Sequence, residues 1–342
     1  MRIPLALAWL LLAMALFTAA LLRQFHDLTP TSPFLNPAIG SLLFACVVFL
    51  VLVAVREHQI GAAPGPGVRL GSLTPFLLML LVEKWVSATF YGPLFVWTSP
   101  AGLGPAEADA RFRALCGIGL LAIVVGTARF SRPARAFLAA RIAPARIVPG
   151  VGTALSAVVA SGLVLGGLAL AFGSRPTLIP PHTEASWPLV VLGQSVLSLG
   201  EEVWFRGLLL GELLRLAPRL GIPGPQARRW FAIATTALLF GCEHFTLAAG
   251  WEEGVRQLVF ALALGTLFGM LVLLTSNLWF VATLHAWINL MLLTALPRLA
   301  YGAPAAALPP GVTISLALIG AFVAAFIAER RGYARTASSQ SS

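Results

Sequence analysis

Charged residues are scarce in this sequence, since only 11% of its 342 residues are Asp, Glu, Lys or Arg. A soluble globular domain has about 25% charged residues, so the composition excludes a water-soluble domain. Cysteine is also rare, and the three cysteines stand in apolar surroundings, which excludes a scaffold held by disulfides. Lysine is almost absent, because Lys84 is the single lysine and the other 22 of the 23 basic residues are arginines.

Hydrophobic residues, in contrast, make up 58% of the chain and occur in long runs. A membrane-spanning helix needs about 20 apolar residues, so the runs predict an all-α fold, a polytopic bundle of about ten transmembrane helices. The first run follows Met1 and Arg2 and is longer than the apolar part of a signal peptide, so we interpret it as an uncleaved span. The predicted spans lie near residues 4–22, 36–55, 73–98, 114–130, 147–173, 187–213, 230–249, 255–275, 277–297 and 311–328.

The arginines are concentrated in loops that fall on one side of such a bundle. They are Arg2, Arg129, Arg132, Arg135, Arg141, Arg146, Arg215, Arg219, Arg228, Arg229, Arg330, Arg331 and Arg335. Positively charged loops stay in the cytoplasm, so we expect an integral, multi-pass membrane protein with both termini cytoplasmic, in the inner membrane if the source is bacterial. The arginines are therefore expected to contact the lipid bilayer and not nucleic acid. The opposite loops carry the acids Asp27, Glu107, Asp109, Glu184, Glu252 and Glu253.

Ionisable side chains inside the predicted spans are the strongest indication of function, because each costs at least about 2.5–3.5 kcal/mol in lipid. The sixth predicted span contains Glu201, Glu202 and Arg206. In a regular helix Glu202 and Arg206 share one face and can neutralise each other. Glu201 points elsewhere, and a carboxylate in that position can serve as a general base or acid.

Two further spans carry polar groups at a similar depth. His244 follows Phe240 by four residues on the seventh span, and Asn289 follows His285 by four on the ninth. Each group alone is most simply a satisfied buried residue or an interhelical hydrogen bond. Three helices that each present groups of catalytic type predict a common pocket.

These groups are sufficient to hydrolyse an amide. Glu201, helped by His244, can take a proton from water, and His285 with Asn289 can donate to the oxyanion that develops on the carbonyl. Alternatively, Glu201, His244 and His285 are of the residue types that bind a divalent zinc ion, which would itself polarise water. The residue pattern alone leaves both mechanisms open. Other intramembrane hydrolases are disfavoured, because the chain has no His-Glu-x-x-His motif, no Gly-x-Ser-x-Gly motif and no Asp inside a span.

The three motifs resemble those of the CPBP family of intramembrane proteases, named for CAAX proteases and bacteriocin-processing enzymes and also called Abi. The family pattern is Glu-Glu-x-x-x-Arg, Phe-x-x-x-His and His-x-x-x-Asn on separate spans. Here these positions are Glu201, Glu202 and Arg206, then Phe240 and His244, then His285 and Asn289.

The resemblance implies a helical membrane protease acting on a membrane-anchored protein or peptide, by CAAX-type cleavage or by maturation or sorting. It implies catalytic roles for Glu201, His244, His285 and Asn289, with Glu202, Arg206 and Phe240 in support. Members of the family are often described as metalloproteases, whereas the glutamate mechanism needs no metal. We favour the mechanism without a metal or other cofactor, with divalent zinc as the alternative. The catalytic core is then predicted at 187–297, after an N-terminal membrane region at 1–186 of about five spans and before a last span and cytoplasmic tail at 298–342.

Two other functions compete with this interpretation. A non-catalytic scaffold or immunity protein of the same fold is disfavoured by the presence of every polar residue of the three motifs. A proton-coupled transporter, with Glu201 and the two histidines relaying protons, is disfavoured by the lack of visible internal repeats.

Overall fold

A computed structural model describes residues 76–80, 82–83, 98, 105–171, 176–179, 187–245, 251–292, 298–301 and 320. The predicted spans near 4–22 and 36–55 lie wholly outside these residues. The span near 73–98 lies mostly outside them, and the span near 311–328 lies outside them except for residue 320.

The described residues are mainly helical, which confirms the predicted helical fold class for this part of the chain. In chain order the elements are α1 (Pro105–Thr127), α2 (Arg132–Ile142), α3 (Ile147–Ala171), β1 (Pro176–Ile179), α4 (Trp187–Glu202), α5 (Leu210–Leu216), α6 (Pro225–Glu243), α7 (Trp251–Thr275), α8 (Leu278–Leu292) and β2 (Arg298–Tyr301). The connection between α4 and α5 is a π-helical segment, Val203–Leu209.

Among the described residues, three helical segments are long and apolar enough to cross a membrane. They are Glu107–Phe130, Pro144–Val164 and Trp251–Thr275. The first begins before the span predicted near 114–130, because α1 starts at Pro105. The α8 helix is apolar but has 15 residues, fewer than the roughly 20 that a perpendicular span needs. The described residues therefore support a membrane protein with three candidate spans, and ten spans are not confirmed.

One short strand pair was not predicted from the sequence. The β1 and β2 strands pair antiparallel, with Pro176 opposite Tyr301 and Ile179 opposite Arg298. Each strand has four residues, which is too short to show the apolar–polar alternation that identifies a strand in a sequence. The pair joins two segments that the sequence analysis assigned to a loop and to the start of the C-terminal region.

The chain forms two compact units, each drawn from separate stretches of sequence. The first takes its described residues from Met1–Phe95, Ala122–Phe137 and Phe205–Gly269. The second takes them from Val96–Leu121, Leu138–Trp204 and Met270–Ser342.

In the second unit, α8 packs against both α3 and α4. Asn277 fixes the start of α8, since its Oδ1 accepts from the Phe280 amide (3.3 Å) and its Nδ2 donates to the Arg146 carbonyl (2.9 Å). Trp279 Nε1 adds a hydrogen bond to the Ile142 carbonyl (3.1 Å). An asparagine before the first helical residue satisfies amides that lack a partner within the helix, so this uncharged connection positions α8 accurately.

Glycines allow α4 to approach α1 closely in the same unit. A Cβ on Gly117 would lie 2.5 Å from the Val196 carbonyl carbon, and one on Gly200 would lie 2.8 Å from the Gly117 oxygen. A Cβ on Gly193 would likewise collide with the Ala110 oxygen. Small residues at such crossings let two backbones meet inside a membrane, and here they bring α1 against the helix that carries Glu201.

The first unit has its own glycine contact, between α6 and α7. A Cβ on Gly265 would lie 2.9 Å from Ala237 Cα, and one on Gly269 would lie 3.2 Å from Ile233. Elsewhere in this unit, the fully buried Glu212 carboxylate accepts from Ser131 Oγ and from Arg215. The buried carboxylate is thus paired, as burial of a charge requires.

Candidate active site

The α4 and α8 helices meet through polar side chains spaced four residues apart. On α4 these are Gln194, Ser198 and Glu202, which share one face because four residues make about one turn. His285 Nδ1 donates to Glu202 Oε1 (2.7 Å), and Asn289 Nδ2 donates to Ser198 Oγ (3.3 Å). One turn forward on α4 therefore corresponds to one turn backward on α8. We call these two antiparallel contacts the polar ladder.

The polar ladder is buried. Ser198 and Glu202 are 0% exposed and His285 is 2% exposed. A buried charged group that loses its partner destabilises a protein by several kcal/mol. The pairing of Glu202 with His285 is therefore both a structural requirement and a constraint that fixes the imidazole ring.

Glu201 lies on the other side of the same imidazole. Its Oε2 atom is 3.5 Å from His285 Nε2, and its side chain is 16% exposed. Among the described residues, this buried oxygen has no hydrogen-bond partner. The arrangement leaves Glu201 Oε2 and His285 Nε2 close enough for one water molecule to contact both, and a carboxylate in this position can accept the proton of that water.

His244 belongs to the first unit and stands at the end of α6. Its Nδ1 donates to the Phe240 carbonyl (2.9 Å), and its ring centre is 4.3 Å from that of Phe240. A carbonyl only accepts, so Nδ1 carries the hydrogen and the lone pair of the neutral ring is on Nε2. The backbone of α6 thus selects the tautomer of His244 that can act as a base through Nε2.

Arg206 is held among aromatic rings of the first unit. It is 0% exposed, and its guanidinium carbon lies 4.1 Å from the centre of the Phe240 ring. The rings of Phe205 and Phe268 are at 5.7 and 5.6 Å. A cation within about 6 Å of a ring centre is attracted by its π face, and guanidinium is hydrated weakly enough to be buried in this way. Phe240 therefore stabilises a charge besides filling space.

The structure thus brings together four of the predicted site residues in the second unit, Glu201, Glu202, His285 and Asn289. Arg206, Phe240 and His244 are associated with one another in the first unit. That His244 shares a pocket with Glu201 stays a prediction.

The assumption of a regular helix after Glu202 needs correction. The helix widens into the π-helical segment at Val203, where hydrogen bonds skip one more residue than in an α-helix. That Glu202 and Arg206 share a face and neutralise each other stays a prediction. The structure gives Glu202 His285 as one partner.

Sequence reasoning missed two further polar residues of α4, Gln194 and Ser198. Gln194 Nε2 donates to Ser198 Oγ (3.4 Å), and Gln194 Oε1 accepts from Arg113 Nη1 (3.1 Å). Their signal in the sequence is the four-residue spacing that runs from Gln194 through Ser198 to Glu202.

A zinc ion in the catalytic role usually has three protein ligands. Within the described part of the chain, no group of three His, Cys, Asp or Glu side chains is close enough to hold a metal. Of the ligands named from the sequence, Glu201 and His285 are adjacent, with 3.5 Å between Oε2 and Nε2.

Comparison with known families agrees with this geometry. Residues 183–291 match the model of the family described as type II CAAX prenyl endopeptidase Rce1-like. The matched segment contains α4 to α7 and nearly all of α8, so every motif residue lies within it. No curated protein and no solved structure matches the chain.

The Rce1-like domain is consistent with a CPBP family intramembrane protease, which confirms the resemblance at the level of this domain. It supports a CAAX-type intramembrane endopeptidase in general terms. Together with the apolar helices, it also indicates an integral membrane protein whose substrate is associated with the bilayer.

Proposed function

We propose that this protein is an intramembrane endopeptidase that hydrolyses a peptide bond in a membrane-associated protein or peptide with water activated by Glu201 and His244. The observation that carries the proposal is the placement of one imidazole, His285, between two carboxylates, Glu202 at 2.7 Å and Glu201 at 3.5 Å. This placement lies inside the Rce1-like segment.

In the first step, the Glu201 carboxylate accepts a proton from water while the water oxygen bonds to the peptide carbonyl carbon. His244 assists by accepting a hydrogen bond from the same water through Nε2. The carbonyl π electrons move to oxygen, and the resulting oxyanion is stabilised by donors from His285 and Asn289. When the tetrahedral intermediate collapses, the carbon–nitrogen bond breaks and Glu201 returns the proton to the leaving amine.

Glu202 determines how His285 can act. Because Glu202 takes the Nδ1 hydrogen, His285 can donate from Nε2 only as the imidazolium form. We therefore assign Glu202 the role of holding His285 in the orientation that an oxyanion donor needs, with Nδ1 on Glu202 and Nε2 facing Glu201 at 3.5 Å. Arg206 and Phe240 support the fold around the end of α6.

We propose that the reaction proceeds without a metal, because a carboxylate base and imidazole and amide donors are sufficient for it. Treatment of the purified protein with 1,10-phenanthroline should leave the rate of cleavage within about twofold of the untreated rate, since no step depends on a Lewis acid. Loss of activity that added zinc restores would instead indicate a zinc-dependent reaction, for which Glu201, His244 and His285 are the expected ligands.

We further propose the ten-span topology with both termini in the cytoplasm, supported by the arginine-rich loops, among which Arg129, Arg132 and Arg135 are exposed. Arg141 stays cationic at neutral pH, because burial, with Arg146 nearby, lowers its pKa only to about 10. Fusions of a cytoplasmic reporter and a periplasmic reporter to each terminus test the orientation. Activity of a periplasmic reporter at either end would contradict it.

The test of the enzymatic function uses the full chain in liposomes with two quenched fluorescent peptides, one with a prenylated C-terminal cysteine and one without. Glu201→Gln keeps the shape of the side chain but removes the base, so we expect cleavage to fall by at least about 100-fold. Glu212→Gln, which alters a buried carboxylate of the first unit, is the matched control and should retain cleavage per folded molecule.

Mass spectrometry of membrane proteins from cells with the wild-type chain or Glu201→Gln finds the natural substrate. Full activity of Glu201→Gln would refute the assignment of the base. Proton-coupled flux without cleavage would indicate a transporter. No cleavage of either peptide and no change in the membrane proteins would indicate a scaffold.

A further inference from the structure

A chain of hydrogen bonds leads from α1 to the proposed oxyanion donor Asn289. Arg113 Nη1 donates to Gln194 Oε1 (3.1 Å), Gln194 Nε2 donates to Ser198 Oγ (3.4 Å), and Asn289 Nδ2 donates to the same oxygen (3.3 Å). At its outer end, Arg113 Nε also donates to Asp109 (2.6 Å). We propose that Arg113, Gln194 and Ser198 are positioning residues that fix the orientation of the Asn289 amide, an inference that rests on the proposed function.

The direction of each hydrogen bond follows from the chemistry of its partners. A guanidinium group only donates, so the oxygen of the Gln194 amide faces Arg113 and its NH2 group faces Ser198. Ser198 Oγ then accepts from two amides and uses both lone pairs. Asn289 is therefore oriented with Nδ2 toward Ser198, and the second hydrogen on Nδ2 is available to the substrate oxyanion.

Burial makes this orientation necessary. Gln194 and Ser198 are 0% exposed, so water cannot replace a lost partner at either side chain. Without the Ser198 oxygen, the Gln194 NH2 group and one Asn289 hydrogen would lose their acceptor, and a buried donor without an acceptor costs about 1–3 kcal/mol. The Asn289 amide would then rotate to find another partner and would present its oxygen to the oxyanion in part of the population.

The chain depends on the close contact between α1 and α4. Gly117 and Gly200 allow the two backbones to meet, and Arg113 lies one helical turn before Gly117 on α1. This inference gives the first candidate span a function, since α1 supplies the residue that orients Gln194.

The test is a double-mutant cycle between Ser198→Ala and Asn289→Ala, measured with both fluorescent peptides in liposomes. We expect Ser198→Ala to lower kcat about five- to tenfold with KM within about twofold of wild type, since one neutral hydrogen bond contributes about 1 kcal/mol. In the Asn289→Ala background, Ser198→Ala should lower kcat less than about twofold, because its effect acts through Asn289. An equal drop in both backgrounds would overturn the positioning role.

Ser161→Ala is the matched control, because Ser161 is a buried serine of α3 that donates to its own helix at Ala157. It should leave kcat and KM unchanged. Gln194→Met, which keeps the length of the side chain but makes no amide hydrogen bond, should reproduce the kcat effect of Ser198→Ala. A wild-type kcat for Gln194→Met would overturn the inference.

Thermal unfolding in detergent gives a readout independent of activity. It is measured for the wild type, Ser198→Ala, Asn289→Ala and the double variant. Ser198→Ala and Asn289→Ala should be coupled, so that the double variant unfolds at a higher temperature than the sum of the single shifts predicts. Additive shifts would overturn the contact. Activity that depends on Asn289 but not on Ser198 would overturn the positioning role alone, whereas a wild-type rate for Asn289→Ala would overturn the proposed oxyanion donor and this inference with it.

Discussion

Two buried charges, one in each unit, differ in their surroundings. In the second unit, Glu202 accepts a directional hydrogen bond of 2.7 Å from His285. In the first unit, Arg206 lies against the faces of three aromatic rings at 4.1 to 5.7 Å. A hydrogen bond weakens steeply with misalignment, whereas attraction to a ring face tolerates small displacements. The first arrangement suits residues whose exact orientation matters for chemistry, and the second suits a residue that stabilises the fold.

The largest effect is expected from Glu202→Gln, which tests the directional hydrogen bond between Glu202 and His285. The substitution replaces the carboxylate that accepts from His285 Nδ1, and partners that orient a metal-bound histidine in the same way typically contribute 10- to 100-fold. We expect kcat to fall by about that factor, with a smaller change in KM. Peptide cleavage in liposomes measures it.

The control for Glu202→Gln is Glu253→Gln, which changes a partly buried glutamate near the start of α7. It should leave kcat unchanged. If Glu202→Gln lowers stability but leaves kcat at the wild-type value, Glu202 has only a structural role.

An intermediate effect is expected from Gly265→Ala in the first unit. The added methyl group would meet Ala237 at 2.9 to 3.1 Å and Arg206 Nη2 at 3.3 Å. Overpacking of this kind costs about 1–3 kcal/mol, so the temperature of unfolding should fall. Gly162→Ala is the matched control, because nothing lies within 4 Å of a Cβ there, and it should not destabilise the protein. Equal stability of the two variants would contradict the close contact of α6 with α7.

The smallest effect is expected from Phe240→Leu. The change removes the ring nearest to Arg206 but keeps an apolar side chain and the backbone carbonyl that His244 contacts. A desolvated cation–π contact contributes up to about 2 kcal/mol, and the rings of Phe205 and Phe268 remain. Phe280→Leu, in α8, measures the cost of losing an equally buried ring. If the two substitutions lower the unfolding temperature equally, the Phe240 ring does not stabilise the positive charge of Arg206.

Features with a local cause could be predicted from the sequence. The four-residue spacing of His285 and Asn289 places both on one face of α8 because helical periodicity is local, and the composition alone indicated membrane helices. The family resemblance also depended only on spacing within each motif, and the Rce1-like match covers the same segment.

Features that depend on distant contacts could not be predicted. The pairing of Glu202 with His285 and of Ser198 with Asn289 requires a particular register between α4 and α8. The four-residue spacings within α4 and within α8 do not encode that register, because the register depends on how both helices pack against the rest of the unit. The π-helical segment after Glu202 also has no sequence signal of its own.

The contact between Glu202 and His285 has a consequence for biosynthesis. The two residues are 83 positions apart in the chain, and a ribosome that adds 5–20 residues per second needs roughly 4–17 seconds to make that stretch. During this interval the Glu202 carboxylate has entered the membrane before its imidazole exists. A nascent chain that stops before α8 therefore lacks the imidazole that donates to this carboxylate, and the contact can form only after α8 has been made.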